Sequence, residues 1–104
     1  MPRIHNLDLD EKEKEYMVVL PKQTTKVTVQ LRPNPLPDGS YKDYPLRLAF
    51  QEGQTTVEEG THFFSVRPGA TWWEDEMGHH SRSIKLYLRC PTADNQRAEI
   101  IMWP

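Results

Sequence analysis

Lys26 to Arg32 alternates without a break: Val27, Val29 and Leu31 on one side of an extended chain, Lys26, Thr28, Gln30 and Arg32 on the other. Successive side chains of a strand point to opposite faces, so this period of two predicts a half-buried strand. Ser83 to Arg89 repeats the pattern, with Ile84, Leu86 and Leu88 inward and Lys85, Tyr87 and Arg89 outward. Ala98 to Trp103 adds a third such segment, with Ala98, Ile100 and Met102 sharing a face. A chain with three amphipathic strands must bury three apolar faces against one another, and stacked sheets are the way to do so.

The remaining segments agree. Tyr16 to Leu20 is a short apolar run stopped by Pro21 and reads as a buried strand. Tyr44-Pro45 opens another, with Leu46, Leu48 and Phe50 opposite Arg47, and Glu52-Gly53 turns the chain after it. His62 to Val66 is a further short strand, with Phe64 and Val66 on one side, ended by Arg67-Pro68-Gly69-Ala70. Gln54 to Glu59 is polar and β-branched and suits a sheet edge or a crossing loop. Pro33 to Ser40 holds three prolines and an Asp-Gly pair and predicts a long exposed connection. No amphipathic helix is visible, and nine prolines in 104 residues favour turns over long helices. The expected fold is all-β: an antiparallel immunoglobulin-like sandwich of about seven short strands, with a small closed barrel as its rival. The sandwich should occupy residues 16–104. Residues 1–15 read as a polar, partly flexible lead-in, with an edge strand or one helical turn as the alternative.

Charge excludes some partners. The formal net charge is −2 with both signs interspersed, so no basic surplus points to nucleic acid or to an anionic membrane. No stretch is apolar enough to insert in a bilayer. Cys90 is the single cysteine, which forbids an internal disulfide and reads as a small buried hydrophobe. The N-terminus lacks an apolar signal segment, which is consistent with a cytoplasmic protein or a trimmed domain.

Thr56-Val57, Gly60-Thr61-His62-Phe63, Val66-Arg67-Pro68-Gly69 and the alternating Ile84-Lys85-Leu86-Tyr87-Leu88 stand in a recognisable order. Together they resemble Calx-beta domains, which carry Thr-Ala, then Gly-x-Asp-Tyr, then a short strand closed by a Pro-Gly-type turn. Glu59-Gly60-Thr61-His62-Phe63 looks closer still to the Glu-Gly-x-His-Tyr turn of related sandwich domains in cell-surface lipoproteins of Bacteroidetes. The resemblance covers about two thirds of the chain through a dozen positions. It implies an immunoglobulin-like sandwich, an extracytoplasmic setting and a binding or spacer role without catalysis. The calcium-ligating Asp of the Gly-x-Asp-Tyr turn is replaced here by His62, so the resemblance does not carry a calcium site with it.

Thr71 to Arg82 stands apart: aromatic, then acidic, then doubly His. It reads as a loop inserted where the family has a tight turn. Trp72 and Trp73 are adjacent, so on a strand only one of them can face a core. The other offers a large, stiff surface for recognition, and Glu74, Asp75, Glu76, His79 and His80 supply polar specificity beside it. Carboxylate and imidazole groups are also metal ligands, but their spacing matches no standard site. No resident metal or cofactor is therefore expected. His62 reads as a turn histidine bonded to backbone. Ser65, Ser81 and Ser83 lack a glycine elbow, and there is no phosphate-binding glycine loop.

The sequence thus predicts a non-enzymatic binding or structural module with its contact surface on the 71–80 loop and a protein or carbohydrate as ligand. One alternative is a small cytoplasmic or phage-type interaction domain. A second is a metal-dependent enzyme using the acidic and His residues. An exposed edge near Gln54 to Val57 would offer a place for a second copy, but oligomeric state is not encoded in any pattern here.

Overall fold

A computed structural model describes residues 2–32, 45–56, 63–67, 70–74, 84–91 and 94–104. The fold is all-β, with eight strands among the described residues: β1 (Arg3–Leu9), β2 (Glu15–Leu20), β3 (Lys26–Arg32), β4 (Leu46–Ala49), β5 (Phe64–Val66), β6 (Thr71–Glu74), β7 (Ile84–Arg89) and β8 (Gln96–Trp103). They form two four-stranded antiparallel sheets, β1-β8-β3-β6 and β2-β7-β4-β5.

The pairings are nested. β1 pairs with β8, β2 with β7, β3 with β6 and β4 with β5. The chain is in effect one long hairpin whose successive rungs land alternately in the first sheet and the second. Two further pairings, β3 with β8 and β4 with β7, close each sheet. The architecture is the expected antiparallel sandwich. Its strand order is that of a two-Greek-key jelly roll, whereas an immunoglobulin constant-type domain runs its strands in a different order over seven strands.

The period of two explains the core. Val27, Val29 and Leu31 of β3 point inward with Ala98, Ile100 and Met102 of β8, and all six are buried. Leu46 and Leu48 of β4 and Leu86 and Leu88 of β7 face them from the second sheet with no exposed surface. Cys90, the single cysteine of the chain, lies fully buried just past the end of β7.

Four expectations are corrected. Arg3–Leu9 is an edge strand paired with β8 along its whole length, the alternative to the solvated lead-in. β2 is half-buried, not buried: Val18 and Leu20 face inward, while Met17 and Val19 are 48% and 46% exposed. As an edge strand of a two-layer sandwich it has only one face to bury. Gln54–Thr56 is a 3-10 turn with Thr55 fully buried, so these residues offer no edge strand to a second copy. Thr71–Glu74 is a strand rather than the start of a loop, because pairing with β3 holds it in the first sheet.

Candidate functional site

The two tryptophans sit on β6, an edge of the first sheet. Trp72 lies opposite Val29 and Trp73 opposite Thr28. Val29 is an inward residue and Thr28 an outward one, so the strand sends the two indoles to opposite faces. Trp72 is half-buried and packs against the core. Trp73 stands on the outer face and is 61% exposed. Glu74 follows, half-buried, opposite Val27. Asp75, Glu76, His79 and His80 lie outside the described residues, as does His62.

Trp72 has two aromatic neighbours that sequence reasoning assigned to strand interiors. Its ring centroid lies 6.1 Å from Phe50 and 6.2 Å from Phe64, both tilted. These spacings fall in the range where aromatic pairs attract beyond their buried area. Phe64 faces the same way as Val66, as expected, being opposite Leu48 in the register. It remains 53% exposed because β5 is a three-residue edge strand at the open side of the sandwich. The alternation of Phe64 and Val66 was legible; the shortness of the edge that leaves Phe64 uncovered was not. Beside this cluster a cleft of about 310 Å³ is lined by Ser65, Val66, Arg67, Ala70, Thr71 and Trp72.

The outer face of the first sheet extends the site from Trp73. The register sets Ile4, Ile101, Thr28 and Trp73 side by side across all four strands. Two residues along, Asn6, Glu99, Gln30 and Thr71 form a parallel polar row. Three of its members are joined: Gln30 Nε2 donates to Glu99 Oε1 at 2.8 Å, and the Thr71 hydroxyl donates to Gln30 Oε1 at 3.3 Å. Beyond it, Arg97 Nε donates to Asp8 Oδ1 at 3.0 Å, and Arg32 lies 3.8 Å from Glu99 Oε2. At the other end, Lys26 Nζ sits 4.8 Å over the Trp103 ring. The sequence showed these residues as the outward half of each strand but not which ones stood abreast, since register depends on pairing.

A second polar group sits on the outer face of the other sheet, and it is structural. Arg89 points outward yet is only 8% exposed. Its Nε donates to the Glu13 carbonyl at 2.8 Å and its Nη1 to the Thr55 carbonyl at 3.0 Å. Arg47, its cross-strand neighbour, reaches the same Thr55 carbonyl at 3.1 Å and lies 4.4 Å over the Phe63 ring. The Glu15 carboxylate accepts from the Gly53 N–H at 2.8 Å, the Thr55 N–H at 3.3 Å and the Thr55 hydroxyl. Together these groups fasten the turn after β4 to the sheet. Among the described residues, no three His, Cys, Asp or Glu side chains gather closely enough to hold a metal ion.

Comparison of the chain with protein-family models, with curated proteins and with solved structures finds no match.

Proposed function

We propose that this chain is a non-enzymatic binding module whose contact surface is centred on edge strand β6 and continues into residues 75–80. The observation that carries the reading is Trp73: a large rigid side chain, 61% exposed, on an edge strand whose other face anchors an aromatic cluster. Exposed aromatic groups gain much buried area on association and lose little side-chain freedom. Trp72 holds the strand to the core with half-buried Glu74 on the same side of it, Trp73 supplies apolar area, and Asp75, Glu76, His79 and His80 supply polar contacts. A protein or a carbohydrate fits this chemistry. The extracytoplasmic setting implied by the resemblance to Calx-beta-like surface domains belongs to the same proposal, since ligands of both kinds are met there.

The test is a paired screen. Labelled wild-type protein and its Trp73→Ala variant are applied to a glycan array and to a displayed peptide library. A ligand held by the wild type and lost by a Trp73→Ala protein of unchanged melting temperature supports the reading. Ligands retained equally by both, or none in either screen, overturn it.

A further inference from the structure

We infer that the outer face of the β1-β8-β3-β6 sheet is a binding face for a neutral, unbranched oligosaccharide lying across the strands. The inference rests on the binding-module reading and names its ligand class. Two rows carry it. The row ending in Trp73 offers an indole at one edge and aliphatic carbon from Ile101 and Ile4 further along. The row beside it offers an amide, a carboxylate and a hydroxyl already held in fixed orientation by the Gln30–Glu99 and Thr71–Gln30 hydrogen bonds. A sugar ring has the same two characters, an apolar face of C–H groups and an equator of hydroxyls that both donate and accept. An indole suits the first, and side-chain amide and carboxylate groups suit the second. Holding those groups in place beforehand lowers the ordering cost of binding.

Charge decides against ionic ligands. Asp8 is paired with Arg97 and Glu99 with Arg32, and Lys26 is stacked on Trp103. Lys26 keeps its charge over the ring, so the described residues of this face carry three cations against two carboxylates, an excess of one that is too small to attract a nucleic acid, an acidic glycan or a charged peptide strongly. Size suits a short sugar chain: four strands at roughly 4.8 Å spacing span about 15–20 Å, room for a few sugar rings laid end to end across them.

The experiment uses the full chain with cello-, xylo-, manno- and laminari-hexaose, each followed by calorimetric titration and by NMR of the tryptophan indole and glutamine side-chain amide signals. The expected result is binding of at least one, with shifts at the Trp73 indole and the Gln30 amide. Affinity should fall about tenfold or more in Trp73→Ala and about threefold in Gln30→Ala. It should change less than about twofold between roughly 50 and 500 mM NaCl, because a neutral ligand releases no counterions. Failure of all four sugars overturns the inference, as does tighter binding of a sulfated analogue or binding that leaves the Trp73 indole signal unmoved. If peptides bind through Trp73 while no sugar does, the binding module stands and the oligosaccharide face falls. If sugars shift signals elsewhere and Trp73→Ala changes nothing, both fall.

Discussion

The two sheets carry polar residues on their outer faces for opposite ends. On the β2-β7-β4-β5 sheet, outward Glu15, Arg89 and Arg47 are covered by the 51–56 turn and spend their hydrogen bonds on its backbone. On the β1-β8-β3-β6 sheet, outward Asn6, Glu99, Gln30 and Thr71 bond to one another or face solvent, and no described turn covers them. The same strand chemistry therefore makes a structural clamp in one place and an open, ordered surface in the other. The difference lies in whether a neighbouring segment folds back over the face. A covered polar group must find all its partners within the protein, whereas an exposed one shares them with water or a ligand.

Substitutions separate the two roles by size of effect. Arg89→Met should have the largest. It keeps much of the apolar stem but removes one donor from each of the Glu13 and Thr55 carbonyls, leaving the Thr55 carbonyl to Arg47. A loss of about 2–4 kcal/mol is expected in urea unfolding. A loss under about half a kcal/mol would mean that the clamp adds nothing beyond packing.

Glu15→Gln comes next. The amide keeps the shape but replaces a charged acceptor of three hydrogen bonds with one oxygen and an NH2 group that cannot accept. About 1–3 kcal/mol should be lost, and Thr55→Val should lose less, since only the hydroxyl goes. Measured together in a double-mutant cycle, the two substitutions should fall short of additivity, because Glu15→Gln weakens the same contact that Thr55→Val removes. Additive losses would show that Glu15 acts through the Gly53 and Thr55 N–H groups alone.

How much of this was open to reading in the sequence follows from the kind of interaction. The inward sets of β3, β7 and β8 were legible because period two is written residue by residue. Trp72 and Trp73 were legible as a split pair for the same reason. Arg89 was assigned outward correctly but its burial was not foreseen, because burial there depends on the Thr55 turn more than thirty residues away in the chain. The jelly-roll order was not legible either, since alternation says that a segment is a strand and nothing about its neighbour. β1 escaped for a different reason: seven largely exposed residues have little apolar pattern, and backbone pairing with β8 makes the strand. Candidates Asp75, Glu76, His79 and His80 lie outside the described residues, so the sequence remains their basis.

Gly53 tests the backbone of the turn, whose N–H Glu15 holds, without removing any hydrogen-bonding group of the clamp. Its φ of +83° is left-handed, and a Cβ placed there would meet nothing within 4 Å. Gly53→Ala should therefore lose about 1 kcal/mol from backbone conformation alone, with no steric share. Gly53→Asn should recover part of that loss, because Asn tolerates this region better than Ala. Equal losses for Ala and Asn would point away from conformation and toward some change in the turn's hydrogen bonds to Glu15.

The smallest effect on stability is expected on the open sheet, and its smallness is the point. Gln30 is exposed and its hydrogen bonds to Glu99 and Thr71 compete with water at every moment. Gln30→Ala should change unfolding free energy by no more than about 0.5 kcal/mol, and Asp8→Ala, which breaks the exposed pair with Arg97, by about the same. If the row exists to hold a ligand, these substitutions separate the two measurements: the urea midpoint stays in place while oligosaccharide affinity falls for Gln30→Ala. A Gln30→Ala protein that loses as much stability as Glu15→Gln would place the row among the structural clamps, and the contrast between the two outer faces would disappear. Small stability losses are the ordinary result for exposed polar groups, so the loss of oligosaccharide affinity at an unmoved urea midpoint is the result that would tie this face to binding.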